Sequence, residues 1–342
     1  MTPPASEGIS TVFPPETGGQ FCGQRSSREV SMAAASTSGA GRSRGSGVIL
    51  VLRVLCVLTV IVCYFCQSSI QHYIDSLWIY LSHHALYQTV YFETWFVVFC
   101  YSLIALVPEA MAKVSYFSQY RLERSLVLPR PSIPELMTEG TLYMLPLAAL
   151  DTVIVKRFPG VQEDVLEMKR LDWIQRTRAL PKSAPTLGQM VWQVAAALII
   201  YDAMFYVIHY SVHRNAFLYK TIHAHHHDHP GGLHGRVTNR LTVAERLALV
   251  LSANFSLRLV SAHPLSRTVF IIVFIGLLVE NHAGFDLPWS YDKIIPFGVM
   301  GGAARHHAHH VYGARQYQPF FTYIDNYMEQ SKQQPRVTHN NL

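Results

Sequence analysis

The sequence predicts an all-α integral membrane protein in which about four to six transmembrane helices carry a histidine-rich helical cap on their cytosolic side. Three observations predict it. Hydrophobic residues make up 50% of the 342 positions against 15% charged, and mean hydropathy is +0.16, too apolar for a soluble domain of this length. Apolar runs of about 20 residues, the length a helix needs to cross the hydrocarbon layer, recur along the chain. Of the 18 histidines, all but His72, His83, His84 and His339 fall between His209 and His310, beside those runs. The net charge of +6 and pI near 9.0 suit topology-setting and contact with anionic lipid, so no nucleic-acid partner is expected.

Taken in order, residues 1–46 are rich in Ser, Gly and Ala, hold too few large apolar side chains for a core, and read as a disordered tail. A membrane and interfacial region follows over 47–186. It opens with "GVILVLRVLCVLTVIVCYFC", which begins too far into the chain for a conventional signal peptide and reads as a signal-anchor, with Arg53 close enough to one end to snorkel. A second run, "YFETWFVVFCYSLIALVPEA", ends at Pro108, and a weaker one, "LYMLPLAALDTVIV", fits either a membrane-lying or a buried helix. Cys56, Cys63, Cys66 and Cys100 lie inside apolar runs, where they act as small hydrophobes rather than as a disulfide framework. The charged, proline-closed stretch from Lys156 to Thr186 reads as an interfacial loop on the aqueous side.

Residues 187–330 form the expected catalytic domain, with 331–342 as a C-terminal tail. "LGQMVWQVAAALIIYDAMFYVIHYSVH" is one long apolar helix that runs into the first histidines, and "AERLALVLSANFSLRLVSA" and "TVFIIVFIGLLVENHAGF" follow. Arg214, Lys220, Arg236, Arg240 and Arg246 flank these segments, and the positive-inside bias places them, and the cap, in the cytosol. There is no internal repeat, Walker motif or dinucleotide-binding fingerprint.

Spacing makes the histidines informative. His209 and His213 form H-x-x-x-H, one turn apart on one helix face. His223, His226 and His227 form H-x-x-H-H, as do His306, His309 and His310, each triplet expected on a shared face. His282 sits between them in "ENHAGFD". This many imidazoles exceed what one ion can use, so a dinuclear metal site is expected with these nine as ligands. Imidazole suits Zn, Cu, Fe and Ni alike, and the near-absence of carboxylates argues against a Glu-rich di-iron bundle. A histidine-rich zinc store is the bland alternative. His225, His229, His234 and His307 fall off the pattern and read as solvated or supporting residues; His263 stays undecided. Asp202, two turns before His209, and Glu280 are candidates to accept a ring N–H and orient a ligand, or equally to cap a buried network.

The order of the three boxes, with "NHAGFDLPWS" before the last, resembles the fatty acid hydroxylase/sterol desaturase superfamily of membrane enzymes. "AHPLS", "VENHAGFDLPWSYDKIIPFGVMGGAARHHAHH" and "PFFTYID" are most similar to its cholesterol 25-hydroxylase-like members, with C4-methylsterol oxidases close behind. His307 departs from the Asp found there in many members. The resemblance implies a multi-pass, non-haem di-iron monooxygenase of the endoplasmic reticulum. It would use O2 and electrons from NADPH, passed through cytochrome b5 or a reductase, to hydroxylate a lipid, a sterol by preference. The alternatives are a sphingoid-base or fatty acid hydroxylase, or a non-catalytic metal-binding membrane protein.

Overall fold

The computed structural model describes residues 40–124, 128, 131–229 and 231–333. The expected N-terminal tail lies outside them up to residue 39, whereas 40–46 already belong to the first helix; of the C-terminal tail, 334–342 lie outside.

Helix α1 (Ala40–Phe65) presents Val, Leu and Ile on every side, and none of its span Gly47–Phe65 is buried by the rest of the protein. A helix this apolar and this little covered by protein needs hydrocarbon around it. Arg53 also has partners within the protein. Its guanidinium donates to the carbonyls of Lys293 (2.8 Å) and Ile294 (3.1 Å), unpaired acceptors at the end of the short helix Tyr291–Ile294. Helix α2 (Gln67–His83) buries Ile74 and Trp78 against Tyr87 and Leu265.

The second apolar run does not stop at Pro108. It forms α3 (Phe92–Ile104) and α4 (Leu106–Lys113), broken at Ala105, and together they make a span of 22 residues. Proline 108 lacks an N–H and its ring crowds the carbonyl four residues back, at Ile104, which sets the break. The weaker run lies in α5 (Ile133–Val153), which starts at a Ser132/Glu135 capping box and runs on through Pro146. It buries Leu147 and Asp151 and exposes Leu142 and Leu145. The charged stretch after it contains a two-stranded hairpin, β1 (Arg170–Leu171) with β2 (Ile174–Gln175), a small exception to an all-α architecture.

Helix α6 (Leu187–Arg214) starts at a Thr186/Gln189 capping box and runs 28 residues, about 42 Å, roughly two turns more than a hydrocarbon core of about 30 Å requires. Its last two turns carry His209 and His213. Helices α7 (Val243–Leu259) and α8 (Pro264–Asn281) pack against it, burying Tyr201, Phe205, Leu257, Phe270 and Phe320 together. Four stretches are long and apolar enough to cross a bilayer: Gly47–Phe65, Phe92–Lys113, Leu187–Arg214 and Pro264–Asn281. At 17 residues, or about 26 Å, α7 is shorter than such a span. The last histidines ride on α9 (Gly302–Tyr312), and α10 (Tyr323–Gln333) closes the described chain. Gly302 has φ +71 and a Cβ there would fall 2.4 Å from Asp292 Cγ, so only glycine lets α9 begin at this place.

Candidate metal centre

The structure brings the eight histidines singled out by spacing, together with His282, into two adjoining clusters. His209, His213, His223, His227 and His309 form one, and His226, His282, His306 and His310 the other; within each, one nitrogen per ring lies within 4.8 Å of all the rest. The rings of His227 and His310 join them, centroid to centroid at 4.6 Å.

The partition corrects the expectation that each H-x-x-H-H triplet shares one face. His223 and His227 enter the first cluster while His226 points into the second; His306 and His310 enter the second while His309 crosses into the first. The reason is helical geometry. At about 100° per residue, positions i and i+4 lie about 40° apart, whereas i+3 and i+4 diverge by about 100°. One helical turn can therefore face two centres. His223 also ends a π-type turn, Tyr219–His223, before the α-helical turn Ala224–His227.

Ring orientation follows from the far-side nitrogens. His209 Nδ1 donates to Tyr317 O, His309 Nδ1 to Arg315 O and His282 Nδ1 to Leu278 O, each at 2.8 Å; His223 Nδ1 donates to Glu245 Oε1 at 2.6 Å. A carbonyl can only accept, so Nδ1 carries the hydrogen, and a neutral ring then turns a bare Nε2 lone pair inward. Burial, reinforced by neighbouring imidazoles, holds His226, His306 and His310 far below the usual histidine range, and burial brings His282 and His309 down to about 4.

Inward-facing Nε2 atoms approach closely: His209 to His223 and His223 to His227 at 3.0 Å, His282 to His306 at 3.0 Å, His306 to His310 at 3.1 Å, and His226 to His282 at 3.3 Å. The Nε2 atoms of His213 and His309 are buried with no hydrogen-bond partner. Bare nitrogens at this separation repel, and a cation between them removes the repulsion. Bonds of about 2.1 Å at right angles put two imidazole nitrogens about 3.0 Å apart. Neither cluster includes a thiolate or carboxylate among the described residues. This donor set fits iron, as it fits other metals that accept imidazole.

The remaining candidates do other work. Asp202 touches no ring: it accepts from the backbone N–H of Phe320 (2.8 Å) and Phe321 (3.0 Å) and from Gln318 Nε2, clamping the segment whose Tyr317 carbonyl holds His209. Glu280 accepts from Tyr291 N at 3.4 Å. His263 caps α8, its Nδ1 accepting from Leu265 N while Nε2 donates to Ser183 O. His225 is exposed and His234 is buried. His229 Nε2 meets His310 Nδ1 at 3.2 Å, and His307 pairs with Glu123 at 2.8 Å. Sequence reasoning missed Glu245. Its spacing from Thr242 marks a helix start, and Thr242 does accept from Glu245 N, yet the Glu245 carboxylate goes to His223.

One cavity adjoins the centre, and a second lies beyond it among the helices. The smaller, of about 420 Å³, is lined by Phe205, His209, His223, Glu245 and Leu249. A larger, mainly apolar chamber of about 1080 Å³, partly open to the exterior, lies among α3, α5, α6, α7 and α8, and Leu249 lines both.

Fold and site together define a class: apolar helices of membrane length, two of which end in a pair of adjoining, buried, all-imidazole clusters. Residues 194–330 match the family model for fatty acid hydroxylase. It is 33% identical over 161 residues to cholesterol 25-hydroxylase of Rattus norvegicus, covering 47% of this chain and 54% of that protein. A cholesterol 25-hydroxylase-like protein of Danio rerio is 32% identical over 161 residues, covering 47% and 64%. A putative methylsterol monooxygenase of Dictyostelium discoideum is 32% identical over 143 residues, covering 41% and 51%. The chain thus spans about half the length of most of these curated relatives. No solved structure matches it.

Proposed function

We propose that this chain is a membrane-bound, non-haem di-iron monooxygenase that hydroxylates a lipid, with a sterol as the favoured substrate. The observation that carries this reading is the pair of buried clusters in which carbonyl-anchored imidazoles turn bare Nε2 atoms toward one another, with an apolar chamber beyond them. His209, His213, His223, His227 and His309 would hold one ion, and His226, His282, His306 and His310 the other. Bound iron supplies what no side chain has, a redox centre able to activate O2 for attack on an unactivated C–H bond.

The protein's own contribution is orientation and exclusion. Tyr317 O, Arg315 O, Leu278 O and Glu245 each fix one ring and its tautomer, so the histidines act as ligands and not as acids or bases. Burial keeps bulk water from the reacting carbon, and the apolar walls admit a substrate that partitions into the bilayer. The overall balance takes one oxygen atom into the product alcohol and releases the other as water, with two electrons and two protons from outside. NADPH, acting through cytochrome b5 or a reductase, is the donor in this reading. Arg214, Lys220, Arg236 and Arg240 near the clusters favour a cytosolic site in the endoplasmic reticulum membrane.

Membranes bearing the protein, given NADPH, a reductase source, labelled O2 and a panel of sterols, sphingoid bases and fatty acids, test the reading by mass spectrometry. One labelled oxygen on a sterol, absent with His226→Ala, is the expected result. Label on a sphingoid base or fatty acid would overturn the sterol assignment, and no labelled lipid would overturn the enzyme.

A further inference from the structure

Between α8 and α9, residues 294–300 read "IIPFGVM", a run without a polar side chain. The run does not fold inward. Of its side chains Met300 alone is buried, whereas Ile295 and Val299 are exposed and Phe297 at the tip is 97% exposed. Phe297 also has φ +68, left-handed backbone that a bulky residue adopts at a cost and that glycine, as in Gly298 at φ +62, adopts freely. A turn built to face water takes glycine or asparagine there. Three exposed apolar side chains within one tight turn form a patch, and burying a phenyl ring is favourable only where apolar matter meets it.

Helix α1 fixes the level at which this patch lies. Arg53 sits six residues past Gly47, about 9 Å into the first membrane-length span, and donates to the carbonyls of Lys293 and Ile294. The loop therefore hangs beside α1 at a level inside its apolar run. At such a level, backbone acceptors must be served without water. Arg53 serves two of them, and the Thr322 hydroxyl lies 2.6 Å from Gly298 O and 3.3 Å from Val299 O. The nearest charge on the loop, Lys293, is paired with Asp286 and Asp292. Trp289 meets Tyr120 and Phe117, with ring centroids at 6.0 and 6.5 Å, a few residues beyond Lys113, where the second span ends. Trp and Tyr gather at the level of lipid headgroups, so this cluster marks the surface above the loop.

We infer that residues 295–299 are a membrane-dipping loop, in which Phe297, with Ile295 and Val299, is buried among the acyl chains of the leaflet on the histidine side, beside α1. Helix α9 begins three residues after Val299, so the loop holds the helix bearing His306, His309 and His310 against the bilayer surface. The inference goes beyond the enzymatic reading and holds whether or not the centre oxidises a lipid.

Fluorescence quenching tests it. The full chain, its five cysteines replaced by alanine, is placed in phosphatidylcholine nanodiscs with a bimane probe on Phe297→Cys or on Val299→Cys. Val57→Cys, exposed in the middle of α1, is the deep reference, and Asp164→Cys, exposed in the charged stretch, is the aqueous one. A loop of this kind reaches about 5–10 Å below the headgroups. A nitroxide near the top of the acyl chains should therefore quench both loop probes more strongly than one near the chain ends, with the reverse order at residue 57. Aqueous iodide should quench residue 164 and leave the loop probes bright. Quenching of the loop probes by iodide and not by lipid nitroxides would put the loop in water and overturn the inference. Shielding from both quenchers would mean that protein, a second copy or another partner, covers the patch, and would overturn it equally. Should one substitution fail to fold, the other reads the same loop.

Discussion

Glu245 shows how a single side chain can organise a cluster without entering it. Its carboxylate accepts from His223 Nδ1 at 2.6 Å, which commits that ring to presenting a bare Nε2 to both His209 and His227. Removing such a partner usually weakens metal affinity about 10–100-fold. Glu245→Ala should therefore lose bound metal to a chelator at about that much lower concentration than wild type, and Glu245→Gln, which keeps an acceptor, should lose less. Metal analysis after dialysis against graded chelator checks this; equal retention in all three proteins would remove Glu245 from the centre. Eight of the nine histidines were legible in the sequence because their spacing repeats, and His282 because it ends an apolar helix between the boxes. Their supports were not, since three of the four are main-chain carbonyls that no residue type encodes, and the fourth sits in what looks like an ordinary helix start.

Within single elements, sequence spacing located the rings but did not assign them. Periodicity says that i, i+3 and i+4 lie on one side of a helix, and it is silent on whether that side faces one centre or two. Only the packing of α9 against the Ala224–His227 turn sends His309 one way and His306 and His310 the other. His263 is the opposite case, a residue without spacing partners that the fold uses as a helix cap. Burial brings it down to about 4 from an ordinary value of 6.5, so the folded protein resists protonating it and the unfolded chain does not. The stability it contributes is complete above about pH 6.5 and is lost as pH falls toward 4, because the protonated ring cannot accept from Leu265 N. His263→Asn keeps a capping acceptor that does not titrate. Melting temperature in detergent should fall less steeply between pH 6.5 and 4 for that variant than for wild type; parallel curves would show that the cap does not titrate there.

Across the whole molecule, a buried charge network holds the bundle together where apolar packing alone has little selectivity. Glu93 on α3 accepts from Arg267 on α8 at 2.8 and 2.6 Å and pairs with Lys156 and Arg178, while Asp151 on α5 joins through Lys156. Glu93→Gln leaves Arg267 and Arg178 without a carboxylate partner, while Lys156 keeps Asp151. A loss of about 3–5 kcal/mol is expected, read as a large drop in melting temperature with purified protein; a variant as stable as wild type would mean the network is dispensable. None of this was visible in the sequence, because Glu93 and Arg267 are 174 positions apart. Composition and spacing alone determined the membrane-length helices and the inventory of nine histidines, since hydropathy, run length and helical period are local properties of the chain. Only the tertiary structure decided the split into two clusters, the carbonyls that aim the rings and the chamber beneath them. Each of these depends on side chains and backbone brought together from distant parts of the sequence, as when the Tyr317 carbonyl, 108 positions away, turns His209 inward.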